Sequence, residues 1–212
     1  MTSIKKEELQ LYAISNRGDK EVEEFLIDLE ESIKGGITLL QLREKDVSFS
    51  VYLEVARKVK ALCDSYDIHL IINDDVHIAK EVDAYGVHLG AEDLEIDKAR
   101  KVLGPYKIIG ATAKTKEEAL KAQEAGADYL GSGDVFGTKS KSDAKRISLD
   151  ELKRICESVK IPVVAIGGVN HENVMELKGT GISGISVIGA LYSDEDVYER
   201  TVDLLEKVQE IF

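Results

Sequence analysis

The chain has 212 residues, of which 43% are hydrophobic and 32% are charged, with two prolines and no tryptophan. This composition is typical of a water-soluble globular protein, and no apolar run is long enough to cross a bilayer. The net charge of −12 disfavours nucleic acid, so we expect neither a nucleic-acid nor a membrane partner. The first ten residues, MTSIKKEELQ, lack the apolar segment of a secretory signal, which favours a cytoplasmic location.

Short apolar or β-branched runs recur along the whole chain and predict eight strands, at 11–15, 37–42, 69–73, 86–90, 107–112, 129–133, 163–168 and 185–191. Amphipathic stretches such as 22–33 and 197–208 separate them and predict helices. The runs HLIIN and IPVVAIGG are almost continuously apolar, which is typical of parallel strands covered on both faces. We therefore predict a single-domain α/β protein, a (β/α)8 TIM barrel spanning residues 1–212, although a doubly wound sheet has the same alternation.

The second predicted strand ends in the polar segment QLREK. Gln41, Arg43 and Lys45 alternate along it and therefore project to the same side. An amide and two cations at the mouth of a barrel suit an anionic ligand with a polar ring. The alternative is an ordinary strand end at which the cations pair with Glu44 or Asp46.

Carboxylates follow the third and fourth predicted strands. Asn73, Asp74 and Asp75 come directly after an apolar run, and Asp93 follows GVHLG. Neighbouring strands can bring Asp74 and Asp93 together, and two carboxylates with substrate phosphates form a typical Mg2+ site. The alternative is that either aspartate caps the helix that follows it.

The segments after strands six, seven and eight are rich in small residues. The loop GSGDVFGTKSKSDAKR combines glycines with hydroxyls and the cations Lys139, Lys141 and Lys145, which favours a phosphate-binding loop over a merely solvated one. Gly167, Gly168 and Gly189 predict uncovered backbone amides near the last two strands, where barrels often bind phosphate. A tight Gly-Gly turn before a helix near Asn170 is the alternative.

The histidines and cysteines carry no recognisable catalytic or metal-binding spacing. Cys63 and Cys156 lie alone in helical patterns, so we expect buried, reduced thiols. The four histidines form no metal-spaced cluster, and we interpret His88, inside GVHLG, as a packing residue.

Taken together, these segments resemble the thiamine-phosphate synthase family. QLREK, IIND, GVHLGAEDL, IIGAT, GADYLGSGDVFGTKSK and VVAIGG occur in the family's order from strand one to strand eight. The resemblance implies a transferase of thiamine biosynthesis. Its substrates would be 4-amino-2-methyl-5-(diphosphooxymethyl)pyrimidine and 4-methyl-5-(2-phosphoethyl)thiazole, or the carboxylated precursor of the latter, and its cofactor would be Mg2+.

The resemblance also implies a role for each matching position. The pyrimidine diphosphate would contact Gln41, Leu42, Arg43, Glu44, Lys45, Asn73, Thr112 and Lys141, and Mg2+ would bind Asp74 and Asp93. The thiazole phosphate would contact Thr138, Lys139, Ser140, Gly168, Ile188 and Gly189. Arg43, Lys45 and Lys141 would act in catalysis by neutralising the departing diphosphate, while the loop that contains Thr138 and Lys141 would exclude water as a lid.

The sequence departs from the family pattern at three places. Thr112 stands where serine is usual, Asp134 and Gly137 replace two prolines, and Gly189 replaces a serine. The loss of the serine hydroxyl puts phosphate affinity in doubt rather than the reaction. Competing interpretations are a thiazole tautomerase of the same superfamily, a non-catalytic protein that binds thiazole phosphate or thiamine phosphate, and another phosphate-binding barrel.

Overall fold

The computed structural model describes residues 4–137, 146–192 and 196–212. Eight parallel strands close into a barrel, with each strand paired to the next and β8 paired to β1. The strands are β1 (Leu11–Ile14), β2 (Leu39–Leu42), β3 (Leu70–Asn73), β4 (Gly86–Leu89), β5 (Ile108–Ala113), β6 (Tyr129–Ser132), β7 (Val163–Ile166) and β8 (Gly184–Val187). The predicted (β/α)8 barrel is therefore confirmed.

Helices pack around the outside of the barrel. They are α1 (Val22–Lys34), α2 (Phe49–Ser65), α3 (Val76–Glu81), α4 (Ile96–Leu103), α5 (Lys116–Glu124), α6 (Leu149–Ser158), α7 (Gly189–Tyr192) and α8 (Val197–Gln209), with 3-10 helices at Lys6–Leu9 and Val174–Leu177. Ser48, Thr115 and Ser148 cap α2, α5 and α6 by accepting a backbone N–H. None of the helices in the described part of the chain is long and apolar enough to span a membrane.

Two segments near the C-terminus differ from the sequence expectation. The predicted strand over 185–191 ends at Val187, and α7 begins at Gly189. A short apolar run such as VIGAL does not distinguish a strand from a buried helix, which explains the error. Between β7 and β8 the described chain forms only the 3-10 helix Val174–Leu177, not the α-helix considered near Asn170.

The core has two apolar layers. An inner layer at the base of the barrel contains Tyr12, Leu39, Ile71, Tyr129 and Val164, while a larger layer lies between the strands and the helices. Because the base is filled, the open space of the barrel lies at the C-terminal ends of the strands. The fold thus directs the residues that follow each strand towards one common cavity.

Both cysteines are free, as the sequence predicts. Cys63 is buried on α2, and Cys156 is half-buried on α6, so complete burial holds only for the first. Burial raises the pKa of Cys63 to about 12 and that of Cys156 to about 11. Both thiols therefore stay protonated at neutral pH and are poor nucleophiles.

Candidate functional site

A cavity of about 1510 Å³ occupies the C-terminal mouth of the barrel. Its wall includes eight of the residues predicted to contact a substrate or Mg2+, which are Arg43, Lys45, Asp74, Asp93, Thr112, Gly168, Ile188 and Gly189. Thr138, Lys139, Ser140 and Lys141 lie outside the described residues. Gln41, Leu42, Glu44 and Asn73 lie in β2 and β3 or directly after them, and are not part of this wall.

Of the first three charged residues that follow β2, Arg43 and Lys45 face the cavity, whereas Glu44 pairs with another residue. Arg43 and Lys45 line the wall. Glu44 instead pairs with Arg17, whose Nη2 lies 2.6 Å from Oε2 and whose Nε lies 3.0 Å from the same oxygen. The Glu44 side chain is only 3% exposed. Glu44 is therefore the partner of Arg17 and not of Arg43 or Lys45, which argues against the salt-bridge alternative for QLREK.

Within β2, alternation places Gln41 inside the barrel and Leu42 on its outer face. Gln41 is buried, and its Nε2 donates to the Tyr12 hydroxyl at 2.5 Å. Leu42 packs in the layer between strands and helices. Substrate contacts for Gln41, Leu42 and Glu44 remain predictions from the resemblance.

Tyr52 on α2 ties the ends of β2 and β3 together. Its hydroxyl lies 2.9 Å from the Leu42 carbonyl and 3.1 Å from the Asn73 carbonyl, and the two oxygens share its one hydrogen. Burial, followed by the charge of Asp74, raises the pKa of Tyr52, so the hydroxyl keeps its proton. This bridge fixes the spacing of the two strand ends that carry Arg43 and Asp74.

Neither carboxylate of the predicted metal site caps a helix. Asp75 is the cap of α3, because its Oδ1 accepts from the N–H groups of His77 and Ile78. The Asp93 Oδ2 accepts from the Gly90 N–H at 2.6 Å, whereas α4 begins only at Ile96. The helix-cap alternative is thus wrong for both Asp74 and Asp93.

The carboxylate pair is electrostatically unfavourable without a cation. Burial, reinforced by the neighbouring Asp74 carboxylate, raises the pKa of Asp93. Asp74 also has a left-handed backbone with φ of 64°, which costs energy for a residue other than glycine. Like charges and local strain at one point of a cavity are typical of a functional site.

The chemistry of this pair fits Mg2+. Carboxylate oxygens are the ligands that Mg2+ prefers, and two of them with substrate phosphates suffice. Among the described residues no group of three or more histidine, cysteine or carboxylate side chains is arranged to hold a metal ion. Asp74 and Asp93 alone would therefore form an incomplete cation site.

The glycines after β7 are needed for packing. Gly167 and Gly168 have φ of 95° and 70°. A Cβ on Gly167 would lie 2.3 Å from the Asp134 carboxylate, and one on Gly168 would lie 2.2 Å from the Gly137 carbonyl oxygen. The turn alternative is thus partly right, since both glycines let the segment after β6 approach. A Cβ on Gly189, by contrast, would meet nothing within 4 Å.

Several cavity residues escaped the sequence analysis. They are chiefly Lys114, Asn170, His171, Asn173 and Arg200. Lys114 stands two positions after Thr112 at the end of β5, so the alternation used for QLREK would have found it. Arg200 lies on α8, far from any strand end, and its Nε donates to the Ala190 carbonyl at 3.0 Å. No sequence pattern signals that contact.

Cations and paired carboxylates at the open end of a (β/α)8 barrel are typical of enzymes that handle phosphorylated ligands. Residues 11–191 match the thiamine monophosphate synthase family. Thiamine-phosphate synthase from Clostridium tetani is 48% identical over 92% of this chain and 93% of its own length. Thiamine-phosphate synthase 2 from Streptococcus pneumoniae is 44% identical over 98% of this chain and 99% of its own length. The chain therefore belongs to the thiamine monophosphate synthase family, whose named members are transferases of thiamine biosynthesis.

Solved structures agree with this assignment. Thiamine phosphate pyrophosphorylase from Pyrococcus furiosus superposes with a TM-score of 0.89 at 42% identity, over 98% of both chains. A geranylgeranylglyceryl phosphate synthase from Thermoplasma acidophilum superposes with a TM-score of 0.73 at 16% identity, covering 97% of this chain and 96% of that one. The second similarity concerns the fold alone.

Proposed function

We propose that the protein condenses 4-amino-2-methyl-5-(diphosphooxymethyl)pyrimidine with 4-methyl-5-(2-phosphoethyl)thiazole to give thiamine phosphate and diphosphate. With the carboxylated precursor of the thiazole, CO2 is released as well. The family and the relatives at 44–48% identity support this reaction. The main structural support for this reaction is that Asp74 and Asp93 lie in the same cavity wall as Arg43 and Lys45. That combination suits a leaving diphosphate and its metal.

The reaction is a substitution at the methylene carbon of the pyrimidine. The carbon–oxygen bond breaks, its electron pair leaves with the diphosphate, and the thiazole nitrogen supplies the pair for the new carbon–nitrogen bond. Arg43 and Lys45 stabilise the charge that grows on the departing oxygens, because fixed cations in a partly enclosed cavity act strongly on developing charge. The electron-rich aminopyrimidine stabilises the positive carbon, so no covalent bond to the protein is needed.

Asp74 and Asp93 would hold Mg2+. Bound there, the ion supplies further neutralisation of the leaving group. Lys45 lies 3.4 Å from Asp74 and so stands next to this position. The raised pKa of Asp93 supports the proposal, since a divalent cation removes the like-charge penalty that raises it.

The thiazole phosphate would bind at the other side of the mouth. Gly168, Ile188 and Gly189 line the cavity there. Contributions of Thr138, Lys139 and Ser140 to this site, and of Lys141 to binding the pyrimidine diphosphate, rest on the sequence resemblance alone. Exclusion of water matters at this point, because water would compete with the thiazole nitrogen for the activated carbon.

Three further expectations remain predictions from the sequence. They are a single domain over residues 1–212, a cytoplasmic location and the lack of a nucleic-acid partner. The acidic composition supports the last of these.

Neutralising the carboxylate pair distinguishes this function from the alternatives. The Asp74→Asn and Asp93→Asn double variant should lose diphosphate release, and asparagine tolerates the left-handed backbone of Asp74. An Asp64→Asn and Asp97→Asn double variant on the outer helices removes the same charge and should keep full activity. A tautomerase would be indifferent to both variants, and a non-catalytic binding protein would release no diphosphate even as the natural chain. Either result would refute the proposal.

A further inference from the structure

Five polar side chains from five strands form a continuous hydrogen-bond chain across the inside of the barrel. Gln41 Nε2 donates to Tyr12 at 2.5 Å, and the Tyr12 and Tyr129 hydroxyls lie 2.8 Å apart. The Tyr129 hydroxyl is 3.1 Å from His88 Nδ1. His88 Nε2 is in turn 3.1 Å from the Thr112 hydroxyl, which lines the cavity. The chain thus runs from a buried amide to the cavity wall.

The barrel is built to admit the two central rings. A Cβ on Gly110 would lie 2.2 Å from the Tyr129 ring, and a Cβ on Gly131 would lie 3.1 Å from the His88 ring. Tyr12 and Tyr129 also meet edge to face, with ring centroids 5.9 Å apart. Packing therefore fixes the rings before any hydrogen bond is counted.

Burial makes the hydrogen bonds among Gln41, Tyr12 and Tyr129 obligatory, whereas His88 and Thr112 are half-buried. Gln41 and Tyr12 are 1% exposed and Tyr129 is fully buried, so water cannot replace a missing partner. Burial is also the main cause that raises the pKa of both tyrosines, which keeps both hydroxyls protonated. Each tyrosine consequently has one hydrogen to donate.

Gln41, at one end of the hydrogen-bond chain, fixes the direction of every hydrogen bond in it. An amide nitrogen can only donate, so Tyr12 accepts from Gln41 and gives its own hydrogen to Tyr129. Tyr129 then donates to His88 Nδ1. That nitrogen must be unprotonated to accept, which places the hydrogen of a neutral imidazole on Nε2. The Nε2 hydrogen goes to the Thr112 oxygen, and the Thr112 hydroxyl hydrogen is left for an acceptor in the cavity.

We propose that Tyr12, Tyr129 and His88 are positioning residues, which orient the Thr112 hydroxyl as a hydrogen-bond donor to the pyrimidine diphosphate. The proposal rests on the proposed function for the identity of the ligand. The opposite direction would turn only oxygen lone pairs of Thr112 towards the ligand, and these repel phosphate oxygens. His88 is thus more than the packing residue that the sequence suggested.

The histidine tautomer tests the direction without any substrate. In protein labelled with 15N-histidine, the ring nitrogens of His88 are assigned by their loss in a His88→Gln variant. We expect long-range 15N–1H spectra of the ligand-free protein at neutral pH to show hydrogen on Nε2 and none on Nδ1. Hydrogen on Nδ1 would overturn the proposal.

Steady-state kinetics test whether the hydrogen-bond chain affects activity through the Thr112 hydroxyl. Tyr129→Phe and Thr112→Val should each lower kcat/KM for the pyrimidine diphosphate about fivefold, as expected for one net hydrogen bond. KM for the thiazole phosphate should stay constant. If the effects share one route, the double variant is no worse than Thr112→Val alone. Thr112→Ser keeps the hydroxyl and should restore activity.

Tyr192→Phe is the matched control. It removes the hydroxyl of a half-buried tyrosine whose partner, Ser32, lies on α1 in the outer layer. Activity should be unchanged in this variant. Additive losses in the double variant, or equal losses in Tyr129→Phe and Tyr192→Phe, would overturn the proposal. If Tyr129→Phe does not fold, Tyr12→Phe takes its place in the comparison with Thr112→Val, because it breaks the hydrogen-bond chain one step earlier.

If the proposed reaction were wrong, the results would differ from those expected if only the positioning role were wrong. In that case the natural chain would form no thiamine phosphate, whereas the tautomer of His88 could still be measured. An active natural chain with hydrogen on Nδ1 would instead refute the positioning chain alone.

Discussion

The Lys45 ammonium lies 3.4 Å from the Asp74 carboxylate at the mouth of the barrel. Their side chains are 48% and 34% exposed, so solvent screens the pair and it contributes about 0–1 kcal/mol to stability. A contact that stabilises so little is readily exchanged. We infer that Lys45 can exchange this contact for one with the diphosphate.

Replacing Lys45 should therefore reduce activity far more than stability. We expect Lys45→Met to lower kcat about 100-fold, as the loss of one fixed charge-stabilising group does in other enzymes. The melting temperature should change by no more than about 3 °C. Diphosphate release and thermal unfolding measure the two effects. An unchanged kcat would show that Lys45 does not reach the leaving group.

Mg2+ should stabilise the protein, and more so as the pH rises. The pKa of Asp93 is raised in the folded state, so the proton stabilises the fold at low pH and this contribution is lost as the pH rises through that pKa. Mg2+ replaces the lost proton only where the carboxylate is ionised. At tenfold its dissociation constant Mg2+ should raise the melting temperature by about 4 °C at pH 7.

The Asp93→Asn variant supplies the control for this measurement. It removes the like charge beside Asp74, so without Mg2+ at pH 7 it should melt higher than the natural chain. Its amide oxygen can still accept from the Gly90 N–H. Mg2+ should then add little. A full Mg2+ shift in Asp93→Asn would place the ion elsewhere.

The Arg17–Glu44 ion pair should support the site through the backbone. Glu44→Gln leaves Arg17 with a weaker partner in a largely buried place, so we expect a loss of about 1–2 kcal/mol in the free energy of unfolding. Since Glu44 stands between Arg43 and Lys45, kcat/KM for the pyrimidine diphosphate should fall as well. Urea denaturation and steady-state kinetics test the two expectations. If Glu44→Gln is as stable as the natural chain, the pair has no structural role.

Gly189→Ser should strengthen binding of the thiazole phosphate. The position begins α7, lines the cavity and has nothing within 4 Å of an added Cβ. A serine hydroxyl can therefore donate to the phosphate without strain, and one such bond lowers KM about fivefold. Gly189→Ala has the same backbone without the hydroxyl and should leave KM unchanged. Equal effects of serine and alanine would rule out a hydroxyl contact.

The sequence predicted most of the fold because apolar periodicity is a local property. The strand starts at Leu11, Gly86, Tyr129 and Val163 agree with it, and the helices α1 and α8 occur where the spacing indicated. The eighth strand was predicted too long, since VIGAL is apolar in either conformation. Alternation also placed Arg43 and Lys45 in the cavity.

The sequence did not predict contacts between residues that lie far apart along the polypeptide. Nothing local indicates that Glu44 pairs with Arg17, that Arg200 reaches the cavity, or that His88 joins Tyr129 and Thr112. These contacts depend on how neighbouring strands and loops align, and alignment is set by the closed barrel as a whole. Nor did the sequence indicate that α3 is capped by Asp75.

Product formation from both substrates tests the central claim most directly. The protein is incubated with the pyrimidine diphosphate, the thiazole phosphate and Mg2+, and thiamine phosphate is detected by mass. We predict thiamine phosphate and diphosphate in equal amounts, and neither when Mg2+ is removed with a chelator. Absence of thiamine phosphate with all three components present, from protein shown to be folded, would contradict the account.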